Sequence, residues 1–465
     1  MVLHTLDIGI LIIYLLAIML VGTLNKSKSG ATDYMLIGRK LSLPAFVMTL
    51  VSTWYGGILG VSEFSFSYGI SNWVIFGLPY YVFGIAFALG VAKRARTLEV
   101  SSLPEIMAKD YGPHAGRIAS ILVLLLASPA PYILTLGILL NFFLGISLTV
   151  GIIAGTLFSL LYIFRGGFSA VVNTDKIQFI LMFLGFLIIL IVLSINYKTP
   201  IELWTSLPSS HKTLSGGHSF SYILVWFFIG SWTLVDPGFH QRVYATKSPS
   251  VAKRGILLAV IFWFFFDILT TLTGLYAFSY LPADTLPSQA FLQLGHLVLP
   301  IGLQGLFYIG IMATVMSTLD SNALISGITL GKDILGSFST FKKYPNEKLI
   351  KYGMLTMLIL GIIMAVWIPS VIGLWYTFGT IAIPGLLIPT LASIFRTPMS
   401  RIAAIMNLTI APLASLFWFF FGKVDQWRYL WGIEPFYPGL LTSLLILSLS
   451  IYLKRKPTIA TFTRK

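Results

Sequence analysis

The sequence predicts an all-α polytopic membrane protein with about thirteen transmembrane helices. Two observations predict this fold class. Hydrophobic residues make up 57% of the 465 residues and charged residues only 10%, whereas soluble proteins average roughly 45–50% and 25%. When the long apolar segments are threaded back and forth across a membrane, nearly all basic residues fall on one side, as the positive-inside rule requires.

The candidate spans each contain about 20 mostly apolar residues, the length that crosses a bilayer as a helix. Their approximate bounds are 7–24, 41–66, 71–93, 116–139, 142–164, 170–197, 220–241, 253–281, 301–331, 350–369, 371–395, 400–421 and 436–454. Residues 1–7 contain no Lys or Arg, and no small-residue cleavage site follows the first apolar run. The first segment is therefore predicted to be a retained span and not a signal peptide.

The distribution of charge determines the predicted orientation. Of the 31 Lys and Arg residues, 27 lie on one side and four on the other, namely Lys198, Lys212, Lys423 and Arg428. The basic side comprises loops 25–40, 94–115, 242–252 and 332–349 and the tail from Lys454. This side is predicted to be cytoplasmic, with the C-terminus inside and the N-terminus outside the inner or plasma membrane. The net charge of +15 is therefore expected to meet anionic lipid and not nucleic acid.

Helix-breaking residues interrupt several spans. They are Gly56-Gly57 in the second span, Pro129 and Pro131 in the fourth, Gly230-Ser231 and Pro237-Gly238 in the seventh, and Pro384 in the eleventh. The second and seventh spans are five apart, which is the spacing expected if two inverted five-helix repeats each begin with a broken helix around a substrate site. The alternative is that Gly and Pro are simply common in membrane helices.

Four hydroxyl side chains form a stripe along the ninth span. Thr314, Ser317, Thr318 and Ser321 recur at i, i+3, i+4 and i+7, so they share one face of a helix. Hydroxyl and carbonyl oxygens are the ligands that a small alkali cation prefers, so the stripe is a candidate cation site. The alternative is that these hydroxyls only bond carbonyls of their own helix and allow close packing.

Carboxylates inside spans are a further group of candidates, because an ionisable group there costs about 2.5–3.5 kcal/mol even on lenient insertion scales. They are Glu63, Asp175, Asp236, Asp267 and Asp320. Structural alternatives exist for three of them: Asp236 as a helix-end residue paired with Arg242, Asp267 as a hydrogen-bonding residue, and Glu63 as an outer helix end instead of a gate or substrate contact. No Lys or Arg is predicted near the middle of a span, which disfavours a strongly anionic substrate.

Three segments together resemble the sodium:solute symporter family, which includes bacterial proline and sialic acid transporters and the sodium/glucose cotransporters. The first segment, RGGFSAVVNTDKIQF, resembles the family motif GG-x-x-AV-x-x-TD-x-x-Q and matches it at Gly166, Gly167, Ala170, Val171, Thr174, Asp175 and Gln178. The second, ATVMSTLDSNALISG (313–327), resembles the MS(S/T)-x-D-S run of the family. The third, HQRVYATKSPSVAKR, follows the seventh span and resembles the QR-x-x-A-x-K stretch.

The resemblance implies a LeuT-like core of two inverted five-helix repeats. This core is expected over 41–395 within a single transporter domain, 1–465. The first helix, 7–24, and the last two helices, 400–454, are expected to be peripheral, and 455–465 to be a cytoplasmic tail.

The resemblance also implies the binding residues. The main sodium site is expected to comprise the backbone carbonyls of Ser52 and Tyr55, the carbonyl of Thr314, and the hydroxyls of Ser317 and Thr318. A second sodium or an ion path is expected at Asp175, Asp320 and Ser321, although Asp320 stands where certain members have serine. Trp232 takes the place of an aromatic inner gate, and Glu63 is a further substrate or gate candidate.

Asp175 has two possible roles. It either stabilises a cation that leaves the main site toward the cytoplasm, or it only pairs with Lys176 or caps its helix.

The predicted function is secondary active import of a small organic solute, coupled to the sodium gradient by alternating access. Sodium is then a coupling ion and not a prosthetic group. The alternatives are a proton-coupled symporter of the same fold, with Asp175 and Asp320 as a relay, and a membrane-embedded solute sensor. An enzyme is not predicted, because no histidine cluster or nucleophile–base pair stands out at one membrane face. The expected partners are the solute, sodium and membrane lipid, with no obligate protein partner.

Overall fold

The computed structural model describes residues 3–24, 30–425 and 428–455. The predicted tail beyond 455 and positions 25–29 of the first predicted cytoplasmic loop lie outside the described residues. The helices of the first half are α1 (Thr5–Leu24), α2 (Ala31–Leu36), α3 (Leu43–Ser52), α4 (Ile58–Tyr68), α5 (Leu78–Ala86), α6 (Ala92–Thr97), α7 (Leu103–Tyr111), α8 (Pro113–Leu126), α9 (Ala130–Leu144) and α10 (Leu148–Asn196).

The second half is also built from helices. They are α11 (Pro200–Ser206), α12 (Ser209–Lys212), α13 (Phe220–Ile229), α14 (Trp232–Val235), α15 (Pro237–Ala245), α16 (Pro249–Tyr280), α17 (Ala290–Val298), α18 (Leu303–Ile328), α19 (Asn346–Trp367), α20 (Val371–Phe395), α21 (Arg401–Phe421) and α22 (Phe436–Arg455). Wider π-helical turns occupy Trp73–Gly77, Phe87–Val91 and Thr329–Ile334, and 3₁₀ turns occupy Ile37–Arg39, Pro287–Gln289, Leu335–Ser337, Ser339–Phe341 and Leu430–Gly432. A short antiparallel hairpin pairs β1 (Lys423–Asp425) with β2 (Arg428–Tyr429).

Within the described residues, eleven helices are long and apolar enough to span a membrane. Two features account for the difference from the thirteen predicted spans. The 49-residue α10 contains Gly167 at φ 55° and ψ −143°, so the predicted spans 142–164 and 170–197 both fall largely within it. The predicted span 41–66 is divided into α3 and α4, of 10 and 11 residues, which are each too short to be counted.

The first break separates α3 from α4. The chain leaves the helix after Ser52 and re-enters it at Ile58, as the Gly56-Gly57 pair predicted. An added Cβ at Gly57 would lie 1.8 Å from the ring of Trp375, and one at Gly56 would lie 2.5 Å from Thr318 Oγ1. Glycine is therefore required because the unwound backbone lies directly against α18 and α20.

The second break separates α13, α14 and α15, again where the sequence predicted it. Pro237 stands in the first turn of α15, where its missing N–H costs no hydrogen bond. Asp236 is the N-cap, since its Oδ1 accepts a hydrogen bond from Phe239 N at 2.7 Å. At both of these breaks the ends of the helices leave backbone groups available inside the protein.

The prolines of the fourth and eleventh spans behave differently. α8 ends at Leu126 and α9 begins at Ala130, so the interruption predicted from Pro129 is present. The interruption predicted at Pro384 is wrong, because α20 continues through Pro384 and Pro389. α20 packs against α8, α9, α21 and α22, and both prolines are buried. Proline inside a membrane helix is tolerated in such surroundings.

α1 packs against the helix that carries the hydroxyl stripe. Asp7 is fully buried, and its Oδ1 accepts hydrogen bonds from Gly302 N and Gly305 N, both at 2.8 Å. A carboxylate in this position caps the N-terminus of α18 from a neighbouring helix. Farther along α1, the Tyr14 hydroxyl lies 3.7 Å from Met316 Sδ.

The orientation of the chain can be tested with single cysteines, because the sequence contains none. Ala283 and Thr340 are both exposed, and they lie in loops predicted to be on opposite sides of the membrane. We expect a membrane-impermeant thiol reagent added outside intact cells to label Ala283→Cys but not Thr340→Cys. Permeabilised cells serve as the control, in which both variants should react. Equal labelling of both variants in intact cells would contradict the predicted topology.

Candidate functional site

A cavity of about 100 Å³ is lined by residues of both breaks. Thr53 and Gly57 contribute from the first break, Trp232 and Asp236 from the second, and Thr318 from α18. A cavity at the junction of two interrupted helices is the arrangement that transporters with inverted repeats use for substrate. The cavity is therefore the candidate solute site.

The hydroxyl stripe of α18 lies against the first break. Ser317 Oγ donates to the carbonyl of Ser52 at 2.7 Å, and Thr318 Oγ1 donates to the carbonyl of Thr53 at 2.8 Å. Both hydroxyls also lie close to the carbonyl of Thr314, at 3.1 and 2.9 Å. Both hydroxyls therefore contact a carbonyl of their own helix, as the purely structural alternative expects. They also donate hydrogen bonds to carbonyls of the unwound segment.

Four of the five predicted sodium ligands are thereby brought together: the carbonyls of Ser52 and Thr314 and the hydroxyls of Ser317 and Thr318. These neutral oxygens from two separate elements suit a weakly held alkali cation. The side chain of Tyr55 points elsewhere, since its hydroxyl donates to Trp263 O and to Asp267 Oδ1, both at 3.0 Å. Its backbone precedes Gly56, which packs against Thr318.

The carbonyl of Thr53 is an additional candidate ligand that the sequence did not reveal. It accepts the Thr318 hydroxyl, whereas the prediction assigned the second carbonyl to Tyr55. A sequence shows that a helix is interrupted, but it does not show which carbonyls of the unwound turn point inward.

A buried arginine stands beside this group, just after the predicted end of the seventh span. Arg242 was assigned to the loop 242–252, but it belongs to α15 and is fully buried. Its guanidinium donates to Thr53 Oγ1 at 2.6 Å and to Ser321 Oγ at 2.8 Å. The loop boundary was wrong because α15 continues inside the protein beyond the second break.

Asp175 is the ionic partner of this arginine. Arg242 Nη2 lies 3.6 Å from Asp175 Oδ2, and both side chains are completely buried. Thr49 connects the two, because its hydroxyl donates to Asp175 Oδ2 and accepts a hydrogen bond from Arg242 Nη2 at 3.0 Å. Breaking a pair of this kind leaves an uncompensated buried charge, which is strongly destabilising.

The alternative roles considered for Asp175 do not match these contacts. Asp175 lies two turns after the kink at Gly167, so it is not at a helix end. Lys176 instead donates to Asn173 Oδ1 at 2.7 Å. Asp175 Oδ1 has no hydrogen-bond partner within the part of the chain that the structure describes. A buried carboxylate oxygen without a partner is the kind of group that receives a mobile cation.

Asp320 faces away from this cluster. Its Oδ2 accepts the hydroxyl of Tyr162 at 2.6 Å, across the contact between α18 and α10. Asp320 precedes Ser321 by one position, a rotation of about 100° around the helix, which takes its side chain off the stripe. The structure therefore brings Ser321 together with Asp175 through Arg242, but it places Asp320 in a separate polar contact.

The other carboxylates also have defined places. Asp267 is held by two tyrosine hydroxyls, of Tyr55 and Tyr81, so the structural role considered for it is present. Asp236 is a helix cap, as considered, but no ion pair with Arg242 forms within 4.0 Å. Glu63 lies in α4, is half-buried and does not line the cavity, whereas Trp232 does.

The chain is similar to known proteins of one family. The model of the sodium:solute symporter family matches residues 34–373, which is more than half of the chain. The high-affinity proline transporter of Bacillus subtilis (strain 168) is 26% identical over 454 residues, which cover 91% of this chain and 93% of the relative.

Solved structures show the same fold. A Na⁺-coupled sialic acid symporter in a substrate-bound outward-open state superposes with a TM-score of 0.81 at 20% identity, covering 97% of both chains. A nucleobase-cation-symport-1 family transporter in a closed conformation superposes with a TM-score of 0.59 at 13% identity, covering 92% of this chain and 95% of that one. The LeuT-like fold predicted from the sequence is thereby confirmed. The chain belongs to the sodium:solute symporter family and is a secondary transporter that couples import of a small organic solute to the sodium gradient.

Proposed function

We propose that the coupling sodium binds between the first break and α18. The observation that supports this site is the pair of hydrogen bonds from Ser317 and Thr318 to the carbonyls of Ser52 and Thr53. These hydrogen bonds bring oxygen atoms of two separate elements within 2.8 Å of each other. All of these atoms belong to hydroxyl or carbonyl groups, and none belongs to a carboxylate. A neutral oxygen cage of this type binds an alkali cation weakly enough to release it again.

The proposed site explains coupling through shared residues. Thr53 and Thr318 provide oxygens to the sodium cage and also line the cavity. Sodium that bridges α18 and the unwound segment stabilises the conformation in which these elements are close. The solute cavity described above is formed in that same conformation. Each ligand therefore raises the affinity for the other, since a coupling free energy between two sites is reciprocal.

We propose further that Asp175 and Arg242 lie on the path by which sodium leaves. Thr53 and Ser321 connect the stripe with Arg242. The Thr53 hydroxyl lies 3.3 Å from that of Ser321 in the stripe, and both hydroxyls accept a hydrogen bond from the guanidinium. A sodium ion that moves past these hydroxyls approaches the unpartnered Oδ1 of Asp175. The guanidinium then neutralises Asp175 when sodium is absent, and sodium shares that carboxylate during its exit.

Proton coupling is the second candidate mechanism, and Asp320 is the observation that favours it. This carboxylate is fully buried, has no Lys or Arg within 4.0 Å among the described residues, and has one oxygen without a partner. A buried carboxylate without a cation is neutralised by a proton or a second sodium ion. Uptake measured at fixed pH with and without a sodium gradient separates the two mechanisms, because only sodium coupling makes uptake depend on that gradient.

Removal of single hydroxyls tests the proposed cage. We expect Ser317→Ala and Thr318→Ala each to raise the sodium concentration for half-maximal uptake by about tenfold or more, since a lost neutral ligand costs about 1–3 kcal/mol. Solute affinity at saturating sodium should change much less. Ser326→Ala is the matched control, because Ser326 lies on the same helix and donates only to Ala323 O. An unchanged sodium dependence in both cage variants would refute the assignment.

A further inference from the structure

We propose that Asp267 is a positioning residue for the coupling sodium. It acts through Tyr55, whose hydroxyl it binds from α16, and this anchor holds the unwound segment 53–57 where its carbonyls face α18. The inference rests on the proposed function, because it concerns the affinity of the sodium cage proposed above. Asp267 and Tyr55 also line the solute cavity, so the anchor lies between the two binding sites.

The unwound segment needs support from neighbouring elements. Residues 53–57 lie between the end of α3 at Ser52 and the start of α4 at Ile58, so no continuous helical ladder of hydrogen bonds fixes them. One contact is with α18, since an added Cβ at Gly56 would lie 2.3 Å from Thr318 Cβ. A second attachment comes from α16, which packs against both α3 and α4.

Tyr55 provides the attachment to α16. Its hydroxyl oxygen lies 3.0 Å from both Asp267 Oδ1 and Trp263 O, and its side chain is buried. Its ring packs on Phe266, with 4.4 Å between the ring centroids. Tyr55 follows Thr53, which supplies a carbonyl to the proposed cage, by only two residues. A displacement of Tyr55 therefore moves the carbonyls of the cage with it.

Asp267 is itself held in one direction. Its Oδ2 accepts a hydrogen bond from the Tyr81 hydroxyl of α5, while Oδ1 faces Tyr55. An added Cβ at Gly77 would lie 2.9 Å from the Tyr81 hydroxyl oxygen and 3.0 Å from Asp267 Oδ2, so the glycine leaves room for this contact. No Lys or Arg of the described residues lies within 4.0 Å of the carboxyl group, which therefore depends on the two tyrosines.

The cost of this arrangement indicates its role. A carboxyl group inside a membrane span is unfavourable, and apolar residues in place of Tyr55 and Asp267 would fill similar space without it. Replacement of both partners of a buried hydrogen bond by apolar groups of the same shape is often nearly neutral for stability. The polar pair adds a single defined position for the tyrosine. A segment that is held in its binding position before the ion arrives binds the ion more tightly, because less conformational freedom is lost.

Tyr55→Phe tests the anchor, because it removes the hydroxyl and keeps the ring. Sodium is titrated against potassium at constant ionic strength, and its binding is followed by thermal stabilisation of the purified protein in detergent. We expect the half-saturating sodium concentration to rise by about fivefold or more, as a lost hydrogen bond would cause. No sodium-binding oxygen is removed by this substitution, so the effect would come from position alone.

Tyr81→Phe is the matched control. It removes a hydroxyl from the same carboxyl group, but this hydroxyl belongs to α5 and not to the unwound segment. We expect a decrease in the unfolding temperature in potassium similar to that of Tyr55→Phe, with a change in sodium affinity of about twofold or less. An equal loss of sodium affinity in both tyrosine variants, or no loss in Tyr55→Phe, overturns the inference.

Asp267→Leu removes the anchor from the side of α16 and provides a second arm. We expect a rise in half-saturating sodium close to that of Tyr55→Phe. The double variant Tyr55→Phe/Asp267→Leu should show no further rise, because both substitutions delete one and the same interaction. Additive effects of the two substitutions would mean that the residues act independently, which also overturns the inference.

Ser317→Ala in the same titration separates this inference from the proposed function. If Ser317→Ala weakens sodium binding and Tyr55→Phe does not, the cage stands and only the role of Asp267 is wrong. If sodium does not stabilise the unmodified protein, or Ser317→Ala binds sodium normally, the proposed cage is wrong and the inference about Asp267 is overturned with it.

Discussion

Asp175→Asn is expected to lose most sodium-driven uptake and to be less stable than the unmodified protein. The variant leaves the fully buried Arg242 without its charged partner, 3.6 Å away. Breaking a buried ion pair from one side costs about 3–5 kcal/mol. Stability is measured by thermal unfolding in detergent, and uptake is measured in proteoliposomes at equal protein content.

The double variant Asp175→Asn/Arg242→Gln separates an ionic role from a structural one. In the double variant both charged groups are absent, so no uncompensated buried charge remains. We therefore expect much of the lost stability to return. Uptake should stay at least tenfold below that of the unmodified protein, because the carboxylate on the exit path is still missing. If uptake returned together with stability, Asp175 would have only a structural role, and the proposed path would be wrong.

Gly56→Ala is expected to remove high-affinity sodium dependence. An added Cβ at this position would lie 2.3 Å from Thr318 Cβ and 2.5 Å from Thr318 Oγ1, so the threonine or the unwound segment must move. Overpacking of this kind costs about 1–3 kcal/mol in stability, and here the displaced hydroxyl belongs to the proposed cage. We expect the half-saturating sodium concentration to rise by about tenfold or more.

Gly60→Ala is the matched control for this substitution. Gly60 lies in α4, four residues after Gly56, and an added Cβ there would lie 3.3 Å from the side chain of Ile372. A small movement of that side chain accommodates the methyl group, so sodium dependence should be close to normal. Equal effects of the two substitutions would indicate a general loss of packing, not a specific effect on the cage.

The fold was accessible from the sequence because it depends on patterns along the chain. Apolar length and the sorting of basic residues predicted a polytopic helical protein, and Gly56-Gly57 and Pro237-Gly238 marked the two breaks. The same reasoning was wrong at Pro384, since a proline inside a membrane helix packed among other helices does not have to end that helix. The spacing of Ser317 and Thr318 likewise indicated one helix face, and the structure places that face against the first break.

The parts of the site that the sequence did not predict depend on contacts between distant segments. Arg242 reads as the first residue of a basic loop, and only the packing of α15 against α3 and α18 shows that it is buried beside Asp175. Asp320 and Ser321 are adjacent in sequence but meet different helices, Asp320 at Tyr162 and Ser321 at Arg242. The direction of each carbonyl in the unwound turn is also a property of the folded chain.

Equilibrium binding of radioactive sodium to the purified protein tests the central claim most directly. The proposed cage predicts saturable binding at constant pH that unlabelled sodium displaces and potassium does not. It also predicts that the double variant Ser317→Ala/Thr318→Ala loses this binding, whereas Ser326→Ala retains it. Binding of sodium by the double variant with unchanged affinity would contradict the assignment of the coupling ion to the contact between α18 and the first break.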